Sequence, residues 1–371
     1  MLPFTGTVAV TGLNATDNPG PGLAVVRALR ADPRFQGRII GLAYDAMDPG
    51  LYTPNVLDGA MLIPYPSAGR EALLARLAWC QQRFGLDVLI PTLDSELPAL
   101  CDQEPLLESM GIRTFLPTRA QYDMRSKARL DELTAHGVPV PKAIPISDPS
   151  TLYTIHEELG GFPLVVKGVF YGATIAWNVS EAIAGFHKQA AEWGLPVIVQ
   201  EHVSGEELNV CVVGDGDGGI VGAVPMKKLM LTKSGKGWAG VTIDDPGLME
   251  MAANTIAALK WRGPCELEVM RDDRGGFHLM EINPRFPAWC DLSAGAGHNL
   301  PMAYVDLAMD RTPHLPDYRV GTAFVRVSIN QIVDVAAFEG LSTVGETASL
   351  TSDDLPEGGD MPSPTTIRPL H

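Results

Sequence analysis

The stretch Phe277-His-Leu-Met-Glu-Ile-Asn-Pro-Arg285 decides how this chain is to be read. Taken as a strand, its period of two puts Glu281, Asn283 and Arg285 on one face and Met280 and Ile282 on the other. A second strand-like run, Cys265-Glu-Leu-Glu-Val-Met270, puts Glu266 and Glu268 on one face in the same way. Between them, Arg271-Asp-Asp-Arg-Gly-Gly276 has the composition of a hairpin turn. Neighbouring strands would then present carboxylates, an amide and a guanidinium on one surface. Such an oxygen-rich set suits a hard cation like Mg²⁺, which takes one or two carboxylates together with nucleotide phosphates. Arg285 adds fixed positive charge where phosphoryl oxygens gather. In isolation the same residues describe a solvated hairpin with a Glu–Arg pair equally well, so the rest of the chain has to decide.

Composition points to an enzyme-sized protein. At 371 residues the chain exceeds one hydrophobic core, and two or three domains are expected. Hydrophobic residues make up 46%, in runs too short and too broken for a membrane span. The opening Met-Leu-Pro-Phe-Thr-Gly lacks the basic and apolar regions of a signal peptide. Cys80, Cys101, Cys211, Cys265 and Cys290 are scattered, without metal-ligand spacing, as reduced cytoplasmic thiols would be. A net charge of −16 argues against nucleic acid as a partner. The expectation is a cytoplasmic protein with no membrane partner, whose phosphate ligands are met by a few positioned lysines and arginines.

The first third alternates strands and helices. Thr7–Gly12, Arg38–Tyr44, Ala60–Ile63 and Asp87–Ile90 read as strands, and Gly22–Arg30 and Arg70–Phe84 as helices, which predicts a parallel, doubly wound sheet. The loop Gly12–Gly22 feeds a helix N-terminus but is too long for a dinucleotide turn. Thr92-Leu-Asp-Ser-Glu96 falls just past a strand's carboxyl end, where open α/β sheets bind ligands; a helix start capped by Asp94 or Ser95 describes it as well.

The pattern changes near Leu116. Asp123–Gly137 reads as a helix with Asp123 as N-cap and Gly137 as its stop. Gly161-Phe-Pro-Leu-Val-Val-Lys-Gly168 is a strand ending in Lys167, followed by the loop Val169–Thr174 and a helix around Ser180–Ala191. Pro196-Val-Ile-Val-Gln-Glu-His-Val203 starts an apolar strand that turns polar towards Val210. Leu300–Met309 reads as a helix. From about Glu339 the chain lacks periodicity and reads as a loosely held tail.

In this order the pieces resemble the ATP-grasp superfamily, in its branch like carbamoyl phosphate synthetase and biotin carboxylase. The resemblance spans about residues 5 to 320. It rests on Lys127 ahead of Gly-Val-Pro-Val-Pro141, on Pro-Leu-Val-Val-Lys167, on Val-Gln-Glu-His-Val203 with Gly205 and Glu207, and on Glu268 with Glu281-Ile-Asn283-Pro-Arg285. It implies an α/β and α+β architecture: a Rossmann-like pre-ATP-grasp domain over 1–117, then an ATP-grasp fold with a small lid subdomain. The lid and first nucleotide-binding half would cover 118–200, the metal and catalytic half 201–335, and the tail 336–371.

The resemblance also implies roles. Lys127 and Lys167 would reach the nucleotide phosphates. Gln200, Glu201, His202 and Val203 would form the hinge that reads adenine, and Glu207 would bind the ribose, with Glu206 adjacent. Glu268, Glu281 and Asn283 would hold Mg²⁺ (or Mn²⁺) against ATP. Arg285 and Asn283 would act at the reacting centre, with Lys228 beside them. Lys227, Lys228, Lys233 and Lys236 lie between the hinge and the first metal strand, and one or two of them would face the site.

The activity implied is ligation of a small carboxylic acid to an amine, amino acids being admissible as either, through an acyl phosphate with release of ADP and phosphate; a homodimer is an admissible assembly. Two departures stand out: the loop after Lys167 is short and aromatic, and no Met-Lys-Met biotin signal or carrier domain is present. The competing readings are modification of a ribosomal precursor peptide and a non-catalytic nucleotide-binding scaffold. Trp289, in Phe286–Asp291, is open between core packing and a ligand platform.

Overall fold

The computed structural model describes residues 2–347 apart from 16, 17, 128, 170, 171, 233, 234 and 334. Its first layer is the parallel sheet expected from the alternation. β1 (Thr7–Val10), β2 (Arg38–Ala43), β3 (Gly59–Leu62) and β4 (Val88–Ile90) run in the spatial order β3-β2-β1-β4, all parallel. These runs are apolar on both faces because helices cover both sides. After β1 the helix Pro21–Ala31 turns back so closely that a Cβ on Gly22 would sit 2.0 Å from the Thr11 carbonyl oxygen. Only glycine permits that approach.

A second, four-stranded sheet is formed by β5 (Ala143–Ile146), β6 (Leu164–Lys167), β7 (Ala173–Ala176) and β8 (Val197–Glu201) in the order β5-β8-β6-β7. Leu164, Val166, Ala176, Val197 and Val199 turn inward against the helix Val179–Trp193 and form a small core of their own. Period two therefore leaves Val165, Lys167, Ile198 and Gln200 on the opposite face.

The third sheet contains β9 (Gly205–Asp215), β10 (Ile220–Leu231), β11 (Gly237–Thr242), β12 (Arg262–Asp272), β13 (Phe277–Asn283) and β14 (Ala323–Val325), ordered β13-β12-β9-β10-β11-β14. The run read as one strand from Pro196 to Val210 is thus two strands in two sheets, and the chain passes between them at His202–Ser204. The helix Pro246–Leu259 packs on one face of this sheet, burying Leu208, Val210, Leu267, Val269, Leu279 and Ile282. Each such fully buried aliphatic side chain contributes roughly 1.5–3 kcal/mol.

The first and third sheets share one core through Phe286, Trp289, Met302, Tyr304 and Val305. Tyr304 donates to the Leu89 carbonyl at 2.9 Å and accepts from the Phe115 amide at 3.0 Å. This junction brings the turn after β4 against the third sheet.

Three expectations are corrected. The helix read over Asp123–Gly137 is a helix over Arg119–Met124 followed by a 3₁₀ segment over Leu130–His136. Its start is set by Thr118, which forms a reciprocal capping box with Gln121. Asp123 lies inside the helix and pairs with Arg119 at 2.9 Å, so it is no cap. Secondly, Met280 does not share the inward face with Ile282. A register shift between Glu268 and Val269 pairs Val269 with Leu279, so Leu279 takes the inward place and Met280 does not. A bulged residue resets the alternation of the strand that carries it. Thirdly, the tail expected from residue 336 forms a helix over Val335–Val344 and a short strand, β15 (Glu346–Thr347), antiparallel to β3. Arg76 and Trp79 hold it, donating to the Gly345 carbonyl and to Glu346. Residues 348–371 lie outside the described part. All five cysteines are free thiols. Among the described residues, no helix is long and apolar enough to cross a membrane.

Candidate active site

The face of the third sheet opposite the helix Pro246–Leu259 carries the polar residues of β9, β10, β12 and β13. Antiparallel register puts Glu266 opposite Asn283 and Glu268 opposite Glu281, while Leu267 and Ile282 point into the core between them. Glu266 is buried and sits at the centre of this face. It accepts from Asn209 Nδ2 at 3.0 Å, Asn283 Nδ2 at 3.1 Å and Trp289 Nε1 at 2.7 Å, and Arg285 Nη1 lies 3.4 Å away. Asn283 Nδ2 also donates to Glu268 at 3.1 Å, so one amide ties the two carboxylates of β12 together. Burial, and after it the charge of Glu268, raises the pKa of Glu266.

Cations approach from outside the hairpin. Lys127 Nζ is 3.3 Å from Glu281 Oε1. The break in the expected helix around Arg125–Arg129 places Lys127 in a turn next to β13. Lys167, at the end of β6, projects from the second sheet towards the same carboxylates. Burial, then the charge of Lys127, lowers its pKa to about 8, against the opposing pull of Glu281 and Glu268. Glu281 in turn is raised by burial and by Glu268, and Lys127 offsets part of the shift. Lys228 on β10 pairs with Glu207 on β9. Burial pulls its pKa down, but the carboxylates of Glu268 and Glu207 outweigh this and leave it raised. Lys227 pairs with Glu206, which also binds Arg271, and Lys236 is exposed; Lys233 lies outside the described residues. Of the described lysines in this stretch, Lys228 is the one that joins the carboxylate face.

The expected hinge follows β8. Gln200 is buried, and its Oε1 has no hydrogen-bond partner. The Glu201 carboxylate accepts from the Lys142 backbone at 2.9 Å, which fixes this side chain to β5. The His202 ring lies 6.4 Å from the Trp177 ring, and Val203 is half-buried at the crossing between sheets.

The turn after β4, which the sequence places at a ligand-binding strand end, reaches the site through Asp94. Asp94 Oδ2 is 3.5 Å from Arg285 Nε, and its Oδ1 is 4.0 Å from Arg125. A cavity of about 200 Å³ opens here, lined by Asp94, Tyr122, Arg125, Lys127, Glu281 and Asn283 among others. Neither Asp94 nor Ser95 caps a helix; the next one begins at Leu97, and Glu96 accepts from Thr11 at 2.6 Å and from Tyr44. The Arg125 signal was present in the sequence as an arginine two residues before Lys127, and Glu266 shared a face with Glu268. Nothing in either pattern names a partner far along the chain. Trp289 is buried with its indole on Glu266, so it packs and positions; Phe286 is buried too and forms no wall of the site.

The donor set fits Mg²⁺ or Mn²⁺ of a nucleotide-dependent kind. Among the described residues no group of three or more His, Cys, Asp or Glu makes a metal site by itself. Two opposed carboxylates and an amide leave a metal needing further oxygen ligands, which phosphates supply. The buried, unpartnered Gln200 acceptor fits an amino group of a base.

Comparison with known proteins agrees with this geometry. Residues 195–331 match the family described as ATP-grasp in the biosynthetic pathway with Ter operon. The D-alanine--D-alanine ligase of Chromohalobacter salexigens is 26% identical over 167 residues, covering 40% of this chain and 51% of the relative. D-alanine--D-alanine ligase B of Pseudomonas putida is 24% identical over 196 residues, covering 48% and 60%. The chain thus spans between half and two thirds of the length of these relatives. Among solved structures, biotin carboxylase from Campylobacter jejuni superposes with a TM-score of 0.65 at 15% identity, covering 84% of this chain and 72% of that one. N5-carboxyaminoimidazole synthetase from Staphylococcus aureus in complex with ADP gives 0.64 at 16%, covering 85% and 79%. L-amino acid ligase from Bacillus licheniformis gives 0.61 at 13%, covering 83% and 75%. The fold is that of the ATP-grasp enzymes. Within that fold, residues 195–331 match an ATP-grasp family model.

Proposed function

We propose that this protein is an ADP-forming carboxylate–amine ligase that uses ATP with Mg²⁺ or Mn²⁺. The observation that carries this reading is the convergence of Lys127, Lys167 and Lys228 on the opposed carboxylates Glu268 and Glu281, with Arg285 beside them on Glu266. Cations alone would suit any anion, and carboxylates alone any cation. Both together, in a cleft between two sheets, suit a metal–polyphosphate.

In this reading Lys127 and Lys167 contact the phosphates as point charges, and Gln200 to Val203 line the adenine, with Gln200 Oε1 accepting from its amino group. Glu207 reaches the ribose while sharing Lys228. Glu268, Glu281 and Asn283 hold the metal, which when bound neutralises charge on the phosphate oxygens. An oxygen of the substrate carboxylate attacks the γ-phosphorus, the bond to the β-phosphate oxygen breaks, and ADP leaves. The amine nitrogen then attacks the acyl carbon, the carbon–oxygen bond to phosphate breaks, and the amine loses a proton. Arg285, held by Glu266 and Asp94, stabilises charge on the transferring group and on the acyl phosphate. The chain contributes positioning and charge, with no covalent enzyme intermediate. The D-alanine ligases and the L-amino acid ligase among the similar proteins support this class of reaction.

The test is ADP release across panels of carboxylic acids and amines, followed by hydroxylamine trapping with the amine left out. A hydroxamate, and transfer of ¹⁸O from the acid to released phosphate, are the expected results. Absence of both with an acid that drives turnover would sink the acyl phosphate route.

A further inference from the structure

The cavity between the turn after β4 and the metal strands contains two buried groups that the protein leaves unsatisfied. Asp94 Oδ1 and Arg125 Nε are both buried and neither has a hydrogen-bond partner. Asp94 Oδ1 is 4.0 Å from Arg125 Nη1, an ion pair too long for a hydrogen bond. One atom can only accept and the other can only donate. Buried polar groups are normally paired, so an acceptor and a donor left open beside one cavity point to a ligand that supplies both complements. Both side chains are held in place: Arg125 stacks 4.4 Å over the Tyr122 ring, Tyr122 Oη donates to the Asp94 carbonyl at 3.3 Å, and Asp94 Oδ2 faces Arg285 at 3.5 Å.

We propose that this cavity binds the acid substrate as an α-amino acid zwitterion, its ammonium on Asp94 and its carboxylate between Arg125 and Arg285. The inference rests on the ligase reading above and adds the class of acid. An ammonium brings three donors and no acceptor, which complements Asp94. The carboxylate beside it brings acceptors for Arg125 Nε and for the guanidinium at the reacting centre. With about 200 Å³ the cavity has room for a small or medium-sized amino acid. Glu281 and Asn283 line the same cavity, so the carboxylate would sit next to the metal strands. Asp94 is then a specificity-determining residue. It holds the ammonium of the acid partner, not the amine that attacks.

The test pairs amino acids with their deamino counterparts, such as alanine with propionate and phenylalanine with 3-phenylpropanoate, for both enantiomers. Binding is read by calorimetry on the full chain with Mg²⁺ and a non-hydrolysable ATP analogue, and turnover by ADP release. The expected result is at least one amino acid preferred over its deamino partner by about 100-fold, on the scale of the cost of leaving a buried polar group unpaired. In Asp94→Asn that ratio should fall towards one, while the affinity for the ATP analogue and the thermal unfolding midpoint stay near those of the wild type. Equal binding of amino and deamino acids, or a ratio unchanged in Asp94→Asn, would overturn the proposal. So would the absence of any amino acid binding. Amino acid binding without ADP release would instead remove the ligase reading and keep the site. Arg125→Met gives an independent check: it should weaken the amino acid and its deamino counterpart alike, because both carry the carboxylate.

Discussion

Glu268 and Glu281 stand directly opposite each other in the β12–β13 ladder, and Lys127 Nζ, from a turn far earlier in the chain, lies 3.3 Å from Glu281. Like charges opposed across a ladder destabilise a sheet. The arrangement therefore works against the apo fold, which is the physical ground for the metal-binding role proposed for this hairpin.

The first prediction follows from that opposition. Glu281→Gln should abolish ATP turnover while leaving the unfolding midpoint of the apo protein within a few degrees, because removal of one carboxylate relieves repulsion as it loses the Lys127 pair. Added Mg²⁺ with nucleotide should stabilise the wild type strongly and this variant little. Differential scanning calorimetry with and without Mg²⁺–ADP measures both; a large apo loss with residual turnover would make the hairpin structural.

Lys167 is held in the cleft with its pKa brought down to about 8 from 10.5. The unfolded chain keeps this proton up to higher pH than the folded one, so the folded state is penalised below about pH 8. The penalty fades as pH rises from 8 to 10.5. Lys167→Met should thus stabilise the apo protein at pH 7, by on the order of 1–3 kcal/mol, with the gain shrinking above pH 8. The same variant should bind ATP more weakly, and ADP less so. Urea titrations at pH 7 and pH 10 check the sign, and a variant less stable than wild type at pH 7 would contradict it.

Arg285 is fixed from two sides, by Glu266 at 3.4 Å and Asp94 at 3.5 Å. Its truncation should act on the transition state more than on the ground state. Arg285→Ala should lower kcat by on the order of 10²-fold or more, with a much smaller change in KM for ATP. Arg285→Lys should recover part of the rate only, since an ammonium cannot reproduce the planar fork. Steady-state kinetics decides, and a change confined to KM would move Arg285 out of the reacting centre.

Burial raises the pKa of Glu96 from 4.5 to about 7, although Thr11 and Tyr44 hydrogen-bond to it. Between these values the folded state holds a proton that the unfolded chain has lost, so stability falls as pH rises from 4.5 to 7. The full effect is about 3 kcal/mol. Glu96→Gln should flatten this part of the stability profile, so that the difference between pH 5 and pH 8 is smaller than in wild type. Denaturant midpoints at the two pH values test it.

Much of the architecture was legible because it depends on local patterns. The helix Arg70–Phe84 has the predicted bounds, and the four early strands fall within a residue or two of their apolar runs. The hairpin Glu–Asn–Arg face was legible because period two acts over neighbouring residues. The bulge that sends Leu279 inward in place of Met280 was not, because it arises from pairing with β12. The tail misled because Val335–Thr347 gains its order from β3, Arg76 and Trp79, none of which is near it in the chain.

The sequence by itself determined that a parallel α/β sheet would be followed by strands bearing carboxylates, an amide and ordered lysines, because periodicity and charge are local properties. It also determined which residue types were present for a metal–nucleotide. Only the tertiary structure decided which of them meet: Lys228 rather than Lys227, Glu266 at the centre of the polar face, and Asp94 and Arg125, each with an unpaired buried atom, beside one cavity. The reason is that electrostatic partners and desolvation depend on distance in space. Here that distance was set by the packing of Tyr304, Phe286 and Trp289 between the first and third sheets.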